Sequence, residues 1–256
     1  MCGRIVNRAE PGYLREYFDE AAVADILEGS GVLGRYNVTP GSYLPGVRVD
    51  ENGGTRWSLM RWGLIPRWAK PDRIPDRTFN ARSETVAEKP SFRNAYANRR
   101  CVVPISGYYE WTGAKGSKQP HYFHWSDEEI IALVGLWETW RYEDNIVESC
   151  TILTTQADTF LSQYHHRMPV FLKCEDTEEW MFGNLSELKR LFNTVETEPL
   201  TVHPVSREVN NGRVDCPELI DRIELLTTRN KKGEKEPIFL PFKTNIRVRS
   251  KRAYTA

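Results

Sequence analysis

Four segments in the middle of the chain have the apolar and aromatic pattern of β-strands, and they follow one another closely. They are CVVPISGYYEW (residues 101–111), HYFHW (121–125), IIALVGLWETW (130–140) and SCTILTT (149–155). Short runs of this kind, separated by turn-forming residues, are typical of sheets built from neighbouring strands. The stretch TGAKGSKQP between the first two segments is rich in Gly and Lys and predicts a hairpin turn. The middle of the chain therefore predicts a sheet rather than alternating strands and helices.

Helical patterns are shorter and lie around these strands. The spacing of apolar residues predicts a helix from about residue 11, and further short helices at residues 91–100, 158–165, 177–183 and 186–193. We therefore expect an α+β fold that is dominated by strands, in one domain with short peripheral helices.

The composition changes near the end of the chain. From residue 227 the sequence TRNKKGEKEP is typical of a linker, and the last residues are rich in Lys and Arg. We expect one domain over residues 1–226, followed by a basic C-terminal extension over residues 227–256.

Several classes of protein are disfavoured. No apolar run approaches the roughly 20 residues of a membrane-spanning helix, and the chain does not begin with a signal-peptide pattern. The cysteines are odd in number and widely spaced, which is typical of reduced thiols in a cytosol-like compartment. We expect a cytoplasmic, monomeric protein without a membrane partner.

The sequence also lacks the patterns of a bound cofactor. No phosphate-binding loop and no paired zinc-type cysteines are present. His121 and His124 are three residues apart in a predicted strand, so their side chains are expected to lie on opposite faces and not to share a metal. We predict neither a metal site nor a cofactor.

Charge is balanced overall, with 35 basic and 35 acidic residues, but it is segregated along the chain. Residues 56–100 contain 11 Lys/Arg against 4 Asp/Glu, and residues 229–256 contain 9 against 2, whereas residues 125–148 are acidic. Such segregation is compatible with an anion-binding groove or with a solvated basic face. We expect the peripheral helices to surround a basic cleft.

The chain opens with MCGR, which places a cysteine at the second position. If Met1 is removed, Cys2 carries a free α-amine and a thiol on adjacent carbons, and both are partly deprotonated near neutral pH. Alternatively, Cys2 is only a small residue near the end of the chain. The residues that fold around it decide between these interpretations.

Three other clusters contain side chains that are able to bind ligands or transfer protons. Asn80 and Arg82 in TFNARSE are able to hold a polar ligand, or else they form turn hydrogen bonds and a surface ion pair with Glu84. Glu110 in GYYEW ends an apolar strand, where a partly desolvated carboxyl is a proton donor or acceptor. The alternative interpretation is that Glu110 lies on an edge strand with its carboxylate in water.

The third cluster is QYHHRMPV, in which two histidines precede Arg167. An imidazole exchanges protons near pH 7, and a guanidinium binds phosphate. His165 and His166 are adjacent, so at most one of them is expected to point into a shared site.

The order of the motifs resembles that of the SOS-response-associated peptidase (SRAP) family. The resemblance spans roughly residues 2–209, most of the chain, and its matching motifs are MCGR, YNVTPG, RWGLIPRW, NARSET, GYYEW, HHRMPV and HPVS. Each motif alone is weak, whereas the ordered set is specific. The resemblance implies a protein that recognises abasic sites in single-stranded DNA and crosslinks to them through its N-terminal cysteine.

The resemblance also implies roles for particular residues. It implies Cys2 as nucleophile, with Asn80, Glu110 and His165 as the other catalytic residues. It further implies DNA-contacting or site-orienting roles for a second set: Arg4, Trp68, Arg82 and Arg167. His166 stands where many relatives carry an acidic residue.

Two other functions remain open from the sequence. Cys2, His165 and Asn80 resemble the Cys/His/Asn set of a thiol peptidase, which would include autocatalytic processing. The second alternative is a module that binds single-stranded DNA without forming a covalent bond to it. Cleavage of the DNA strand at an abasic site is a further activity that the same residues would support.

Overall fold

The computed structural model describes residues 2–8, 27, 29–75, 77–125, 130–193, 197, 200–225, 227–229 and 235–237. The helix predicted from about residue 11 lies outside these residues. The chain divides into two units, residues 1–223 and residues 224–256. The division predicted after residue 226 stays a prediction.

Strands dominate the described residues, as the sequence predicts. In chain order they are β1 (Ile5–Asn7), β2 (Arg35–Val38), β3 (Tyr43–Val49), β4 (Thr55–Trp62), β5 (Asn80–Arg82), β6 (Arg100–Ile105), β7 (Gly107–Thr112), β8 (Gln119–Trp125), β9 (Ile131–Tyr142), β10 (Asn145–Gln156), β11 (Arg167–Pro169), β12 (Phe171–Leu172), β13 (Leu200–Pro204), β14 (Thr227–Arg229) and β15 (Lys235–Pro237). The α+β, strand-dominated fold class is confirmed.

The helices are short and lie between the strands. The α-helices among the described residues are α1 (Arg93–Asn98) and α2 (Thr177–Phe182). The 3-10 helices are Pro71–Arg73, Leu161–Gln163, Cys174–Asp176, Leu188–Asn193, Arg207–Asn210 and Pro217–Ile220. None of the described helices is long and apolar enough to cross a membrane.

The strands of the first unit form two sheets. A five-stranded antiparallel sheet has the order β13-β8-β7-β1-β2. An eight-stranded sheet has the order β11-β10-β4-β3-β6-β9-β12, with β5 paired to β10. Because β9 also pairs with β10, the strands β10, β4, β3, β6 and β9 form a closed ring. In the second unit, β14 and β15 form an antiparallel pair.

The first half of strand β9, Ile131 to Leu136, is buried on both faces, which explains why its sequence is continuously apolar. Ala132, Val134 and Leu136 pack into one hydrophobic cluster, together with residues of α1 and α2. Ile131 and Leu133 point to the opposite face and pack into a second cluster. This second cluster also contains residues of the five-stranded sheet and Cys2, so it joins the two sheets.

Arg100 is a buried cation that holds the two α-helices against the sheet. Its guanidinium donates hydrogen bonds to carbonyl oxygens near the ends of both helices, those of Tyr96, Ala97, Trp180, Met181 and Gly183. A charged side chain is tolerated in this interior because so many acceptors surround it.

Replacing Arg100 with methionine is expected to destabilise the fold by about 3 kcal/mol, because several buried carbonyl groups would lose their donors. Equilibrium unfolding in urea measures this as a lower midpoint with an unchanged slope. Arg93→Met is the matched control, since Arg93 is an exposed residue of α1. Equal midpoints for the two variants would contradict the assigned role.

Candidate active site

The N-terminal segment of the chain lies against the strand that carries Glu110. Strand β1 pairs with β7 so that Ile5 faces Tyr108 and Val6 faces Gly107. The backbone N–H of Tyr109 donates to the carbonyl of Arg4 at 3.0 Å, which continues the pairing towards the end of the chain. The antiparallel pairing therefore runs the N-terminal segment past Glu110, whose carboxylate is near enough to the Cys2 thiol to act on it electrostatically.

Asn80 links this segment to the other sheet. It begins β5, which runs parallel to β10 with Asn80 opposite Ile152. Its side-chain nitrogen Nδ2 donates to the carbonyl oxygen of Cys2 at 2.6 Å. The other amide atom, Oδ1, is buried and accepts no hydrogen bond within the described part of the chain. An unsatisfied acceptor at this position suits a ligand or an amine that donates to it.

The Cys2 side chain is fully buried, at 0% exposure. Burial raises the pKa of its thiol well above the ordinary value, and the nearby negative charge of Glu110 raises it further. The backbone N–H of Arg4 donates to the sulfur and opposes this effect only weakly. The thiol is therefore protonated at neutral pH.

Glu110 is buried in the interior of the five-stranded sheet, at 7% exposure, because β7 lies between β8 and β1. The alternative of an edge-strand carboxylate in water is therefore wrong. Its carboxylate interacts electrostatically with both the thiol of Cys2 and the ring of His165. Charges interact in this way only over short distances, so the Glu110 carboxylate lies near both side chains.

His165 completes this group from the segment between β10 and β11. Its backbone N–H donates to the carbonyl of Leu161 at 3.1 Å, and its ring lies against the ring of His166 at a tilt of 31°. The ring nitrogen Nδ1 lies 3.0 Å from the backbone nitrogen of Arg167 and 3.2 Å from its carbonyl oxygen. When Nδ1 accepts the shorter contact, from the backbone N–H, the neutral ring carries its proton on Nε2.

The pKa of His165 is lowered by burial, and the carboxylate of Glu110 raises it in partial compensation. The imidazole is therefore mostly neutral at pH 7, where it is able to accept a proton. The structure thus brings together Cys2, Asn80, Glu110 and His165, from four separate parts of the sequence. Their roles stay predictions.

The four residues predicted to contact DNA differ in exposure. Trp68 is exposed at 62%, and Arg82 is exposed at the end of β5. Arg4 instead donates to Asn37 and to the carbonyl of Val209, and its guanidinium lies over the ring of Trp111. These contacts suit an orienting role for Arg4.

The side chain of Arg167 is buried by its partners, with 9% exposure. Its guanidinium donates to both carboxylate oxygens of Glu84, at 3.0 and 2.9 Å, and to the carbonyl of Thr154 at 2.5 Å. The carboxylate of Glu84 thus pairs with Arg167, although the sequence suggested Arg82 as its partner.

Folding neutralises part of the basic segment 56–100. Glu138 accepts hydrogen bonds from Arg67 and Arg99, and Glu148 pairs with Arg56. These carboxylates come from the acidic segment 125–148. The exposed cations that remain in the segment include Lys70, Arg82, Lys89 and Arg93. The uncompensated positive charge of the segment is therefore smaller than the linear count indicated, and the basic cleft stays a prediction.

Sequence reasoning missed Glu84 and Thr154 as parts of the site. The sequence suggests Glu84 only as a surface partner, and Thr154 lies inside a predicted strand. No local pattern signals their contact with Arg167, because strand pairing alone brings these residues together.

The chain resembles several known proteins over most of its length. Residues 1–212 match the family described as SOS response associated peptidase (SRAP). The chain is 32% identical over 226 residues to the abasic site processing protein YoqW of Bacillus subtilis, which covers 86% of this chain and 99% of that protein. It is 31% identical over 208 residues to the abasic site processing protein HMCES of Pongo abelii, covering 68% of this chain and 59% of that protein.

Solved structures have the same fold. A crystal structure of a protein from Bacteroides thetaiotaomicron matches with a TM-score of 0.76 and 26% sequence identity, over 87% of this chain and 100% of that chain. A crystal structure of a protein from Bordetella bronchiseptica matches with a TM-score of 0.69 and 24% identity, over 80% of this chain and 100% of that chain. The second likeness concerns the fold alone.

Proposed function

The chain belongs to the SOS response associated peptidase (SRAP) family, and on this premise we propose that it processes abasic sites in DNA by crosslinking to them. The reactive group is Cys2 after removal of Met1, and the product is a thiazolidine formed with the ring-opened sugar. The observation that carries the proposal is the burial of Cys2 against Glu110 with its carbonyl held by Asn80.

The proposed reaction begins at the aldehyde of the open deoxyribose. The α-amine of Cys2 adds to the aldehyde carbon, and the carbinolamine loses one water to give an imine. The Glu110 carboxylate accepts the proton released by the attacking nitrogen and returns it to the carbinolamine hydroxyl, which leaves as water. Asn80 holds the terminal residue in register, which is a positioning contribution.

Ring closure follows from the same residue. The sulfur of Cys2 adds to the imine carbon, and the thiol proton is transferred to the nitrogen, so that a five-membered thiazolidine results. Because the buried thiol is protonated at neutral pH, a base has to remove its proton. His165 is neutral and interacts with Glu110, so it suits this proton transfer and the opening of the sugar hemiacetal.

DNA binding is assigned to exposed residues outside the catalytic group. Trp68 offers an aromatic face for base stacking, and Arg82 offers a cation for the phosphates. We propose that the preferred substrate is single-stranded DNA, since stacking on Trp68 needs an unpaired base. We further propose that the protein acts inside the cell, as a monomer.

The test is incubation of the purified protein with an abasic single-stranded oligonucleotide, an intact oligonucleotide and a peptide mixture. A heat-stable adduct with the abasic oligonucleotide alone is expected. Peptide turnover would instead favour the thiol peptidase, and salt-dependent binding without preference for damage would favour a non-covalent binding module. Mass spectrometry of the intact protein establishes whether Cys2 is the first residue.

The raised pKa of the Cys2 thiol fits the crosslinking reaction better than a thiol peptidase. Peptidases of this type attack with a thiolate that a neighbouring cation stabilises. Here burial and the carboxylate of Glu110 both raise the pKa of the Cys2 thiol. The site therefore suits attack by the amine first and by the sulfur second.

Replacing Cys2 with serine is expected to shift the product from a stable adduct to an imine and a nicked strand. The amine remains, but the sulfur that closes the ring is lost, and an imine acidifies the adjacent C–H so that the 3′ phosphate is eliminated. Borohydride, which reduces the imine to a stable amine, should trap more of this variant than of the wild type. Absence of a trapped species from Cys2→Ser, once removal of Met1 from that variant has been verified, would contradict the imine route.

A further inference from the structure

One ion pair joins the two segments that carry Asn80 and His165. Arg167 begins β11, and its guanidinium crosses the end of β10 to reach Glu84, which follows β5. On its way it donates to the carbonyl and hydroxyl oxygens of Thr154, at 2.5 and 3.2 Å. The position of Arg167 is therefore fixed from two neighbouring segments.

The same residue orients His165 through its main chain. The backbone N–H of Arg167 donates to Nδ1 of His165 at 3.0 Å. The carbonyl oxygen of Arg167 lies 3.2 Å from the same nitrogen and would accept a proton placed on Nδ1. A shift of Arg167 would lengthen the N–H hydrogen bond, and so release the ring orientation and the Nε2-protonated tautomer that this bond favours. At the other end of the ion pair, Glu84 lies four residues after Asn80 in the same segment.

We propose that Glu84 is a positioning residue for the crosslinking reaction, because it holds Arg167 where its backbone N–H keeps the proton of His165 on Nε2. This inference rests on the proposed function, since it assigns His165 the proton transfers described above. Glu84 itself does not touch the reacting atoms. It acts through Arg167.

A purely stabilising role for this ion pair is the competing explanation. Glu84 is 47% exposed on its side-chain surface, and partly exposed ion pairs contribute little to stability. The carboxylate nevertheless accepts two hydrogen bonds from the Arg167 guanidinium, and such bidentate pairing fixes the orientation of the guanidinium in addition to stabilising the pair. Loss of Glu84 should therefore disturb the position of Arg167 more than it disturbs the fold.

The test compares Glu84→Ala with Glu88→Ala, which removes an exposed carboxylate four residues further along. At saturating abasic oligonucleotide and pH 7, the single-turnover rate of adduct formation should fall about tenfold in Glu84→Ala only. Abolition is not expected, because Thr154 still binds Arg167. Non-covalent affinity for an intact oligonucleotide should not weaken, since the freed guanidinium remains available to phosphates.

Histidine 15N NMR supplies a readout that a stabilising role would not change. The protein contains five histidines, and the signals of His165 are assigned by their loss in His165→Gln. The wild type and Glu88→Ala should show His165 with its proton on Nε2, while Glu84→Ala should show a mixture of tautomers. The charged and titratable groups beside the ring, Glu110 and His166, are the same in all three proteins.

Two results would overturn the inference. One is an unchanged rate in Glu84→Ala, and the other is an unchanged tautomer of His165, whatever the rate. If the wild type itself forms no adduct, the proposed function fails, yet the NMR comparison still tests whether Glu84 orients His165.

Discussion

Replacing Cys2 with alanine is expected to reduce the heat-stable adduct with abasic single-stranded DNA to background. Alanine keeps the α-amine, so an imine still forms, but without sulfur no ring closes and the imine hydrolyses on heating. The change removes only a sulfur from a buried position beside Asn80, so the fold and its exposed cations persist. Binding of DNA should remain and should weaken with salt as in the wild type.

The matched control is Cys174→Ala, which removes a thiol that is exposed at the surface and forms no disulfide. This variant should form the adduct at the wild-type yield, because a thiol without a neighbouring α-amine has no route to a thiazolidine. A full yield of heat-stable adduct from Cys2→Ala would show that another residue is the nucleophile. Denaturing gel electrophoresis after heating measures both variants.

The candidate catalytic residues were predictable because each of them stands in a distinctive local motif. Cys2 is the second residue, Asn80 follows a proline-rich loop, and Glu110 ends an aromatic strand. Strand pairing between β1 and β7 and the amide of Asn80 then bring them together. The residue types and their local motifs predicted the candidates. The pairing of the strands explains why they lie close together.

Contacts between distant segments were not predictable from the sequence. The linear count of charge in residues 56–100 overstated the free positive charge, because Glu138 and Glu148 fold back onto that segment. Arg167 looked like a phosphate ligand, but its guanidinium is held by Glu84 from 83 residues away. A charge run in the sequence carries no information about which carboxylates will face it.

The sequence predicted the positions of the short helices more accurately than their type, α or 3-10. The helix predicted at residues 158–165 is a 3-10 helix at Leu161–Gln163, and that predicted at residues 186–193 is also 3-10. In the first of these, the carboxylate of Asp158 accepts the backbone N–H of Leu161 at 2.8 Å. Such 3-10 segments stay short because their i→i+3 hydrogen bonds have poorer geometry than those of an α-helix.

Any residue left in front of Cys2 is expected to prevent the thiazolidine as completely as loss of the sulfur does. The nitrogen of Cys2 would then be an amide, which does not attack an aldehyde, although the thiol, Glu110 and His165 would all be unchanged. The extended protein is made by adding a short N-terminal segment that a sequence-specific protease removes to leave Cys2 first. Adduct formation is measured before and after cleavage of the same preparation.

This experiment also separates the crosslinking reaction from autocatalytic processing. If the extended protein stays intact and forms no heat-stable adduct until the protease is added, the free amine of Cys2 is the group that reacts. If it shortens itself to Cys2 without a protease, and Glu110→Gln or His165→Gln prevents this, the same site has autopeptidase activity. An adduct formed while the extension is still attached would refute the mechanism, because only an adjacent amine and thiol on one residue close the ring.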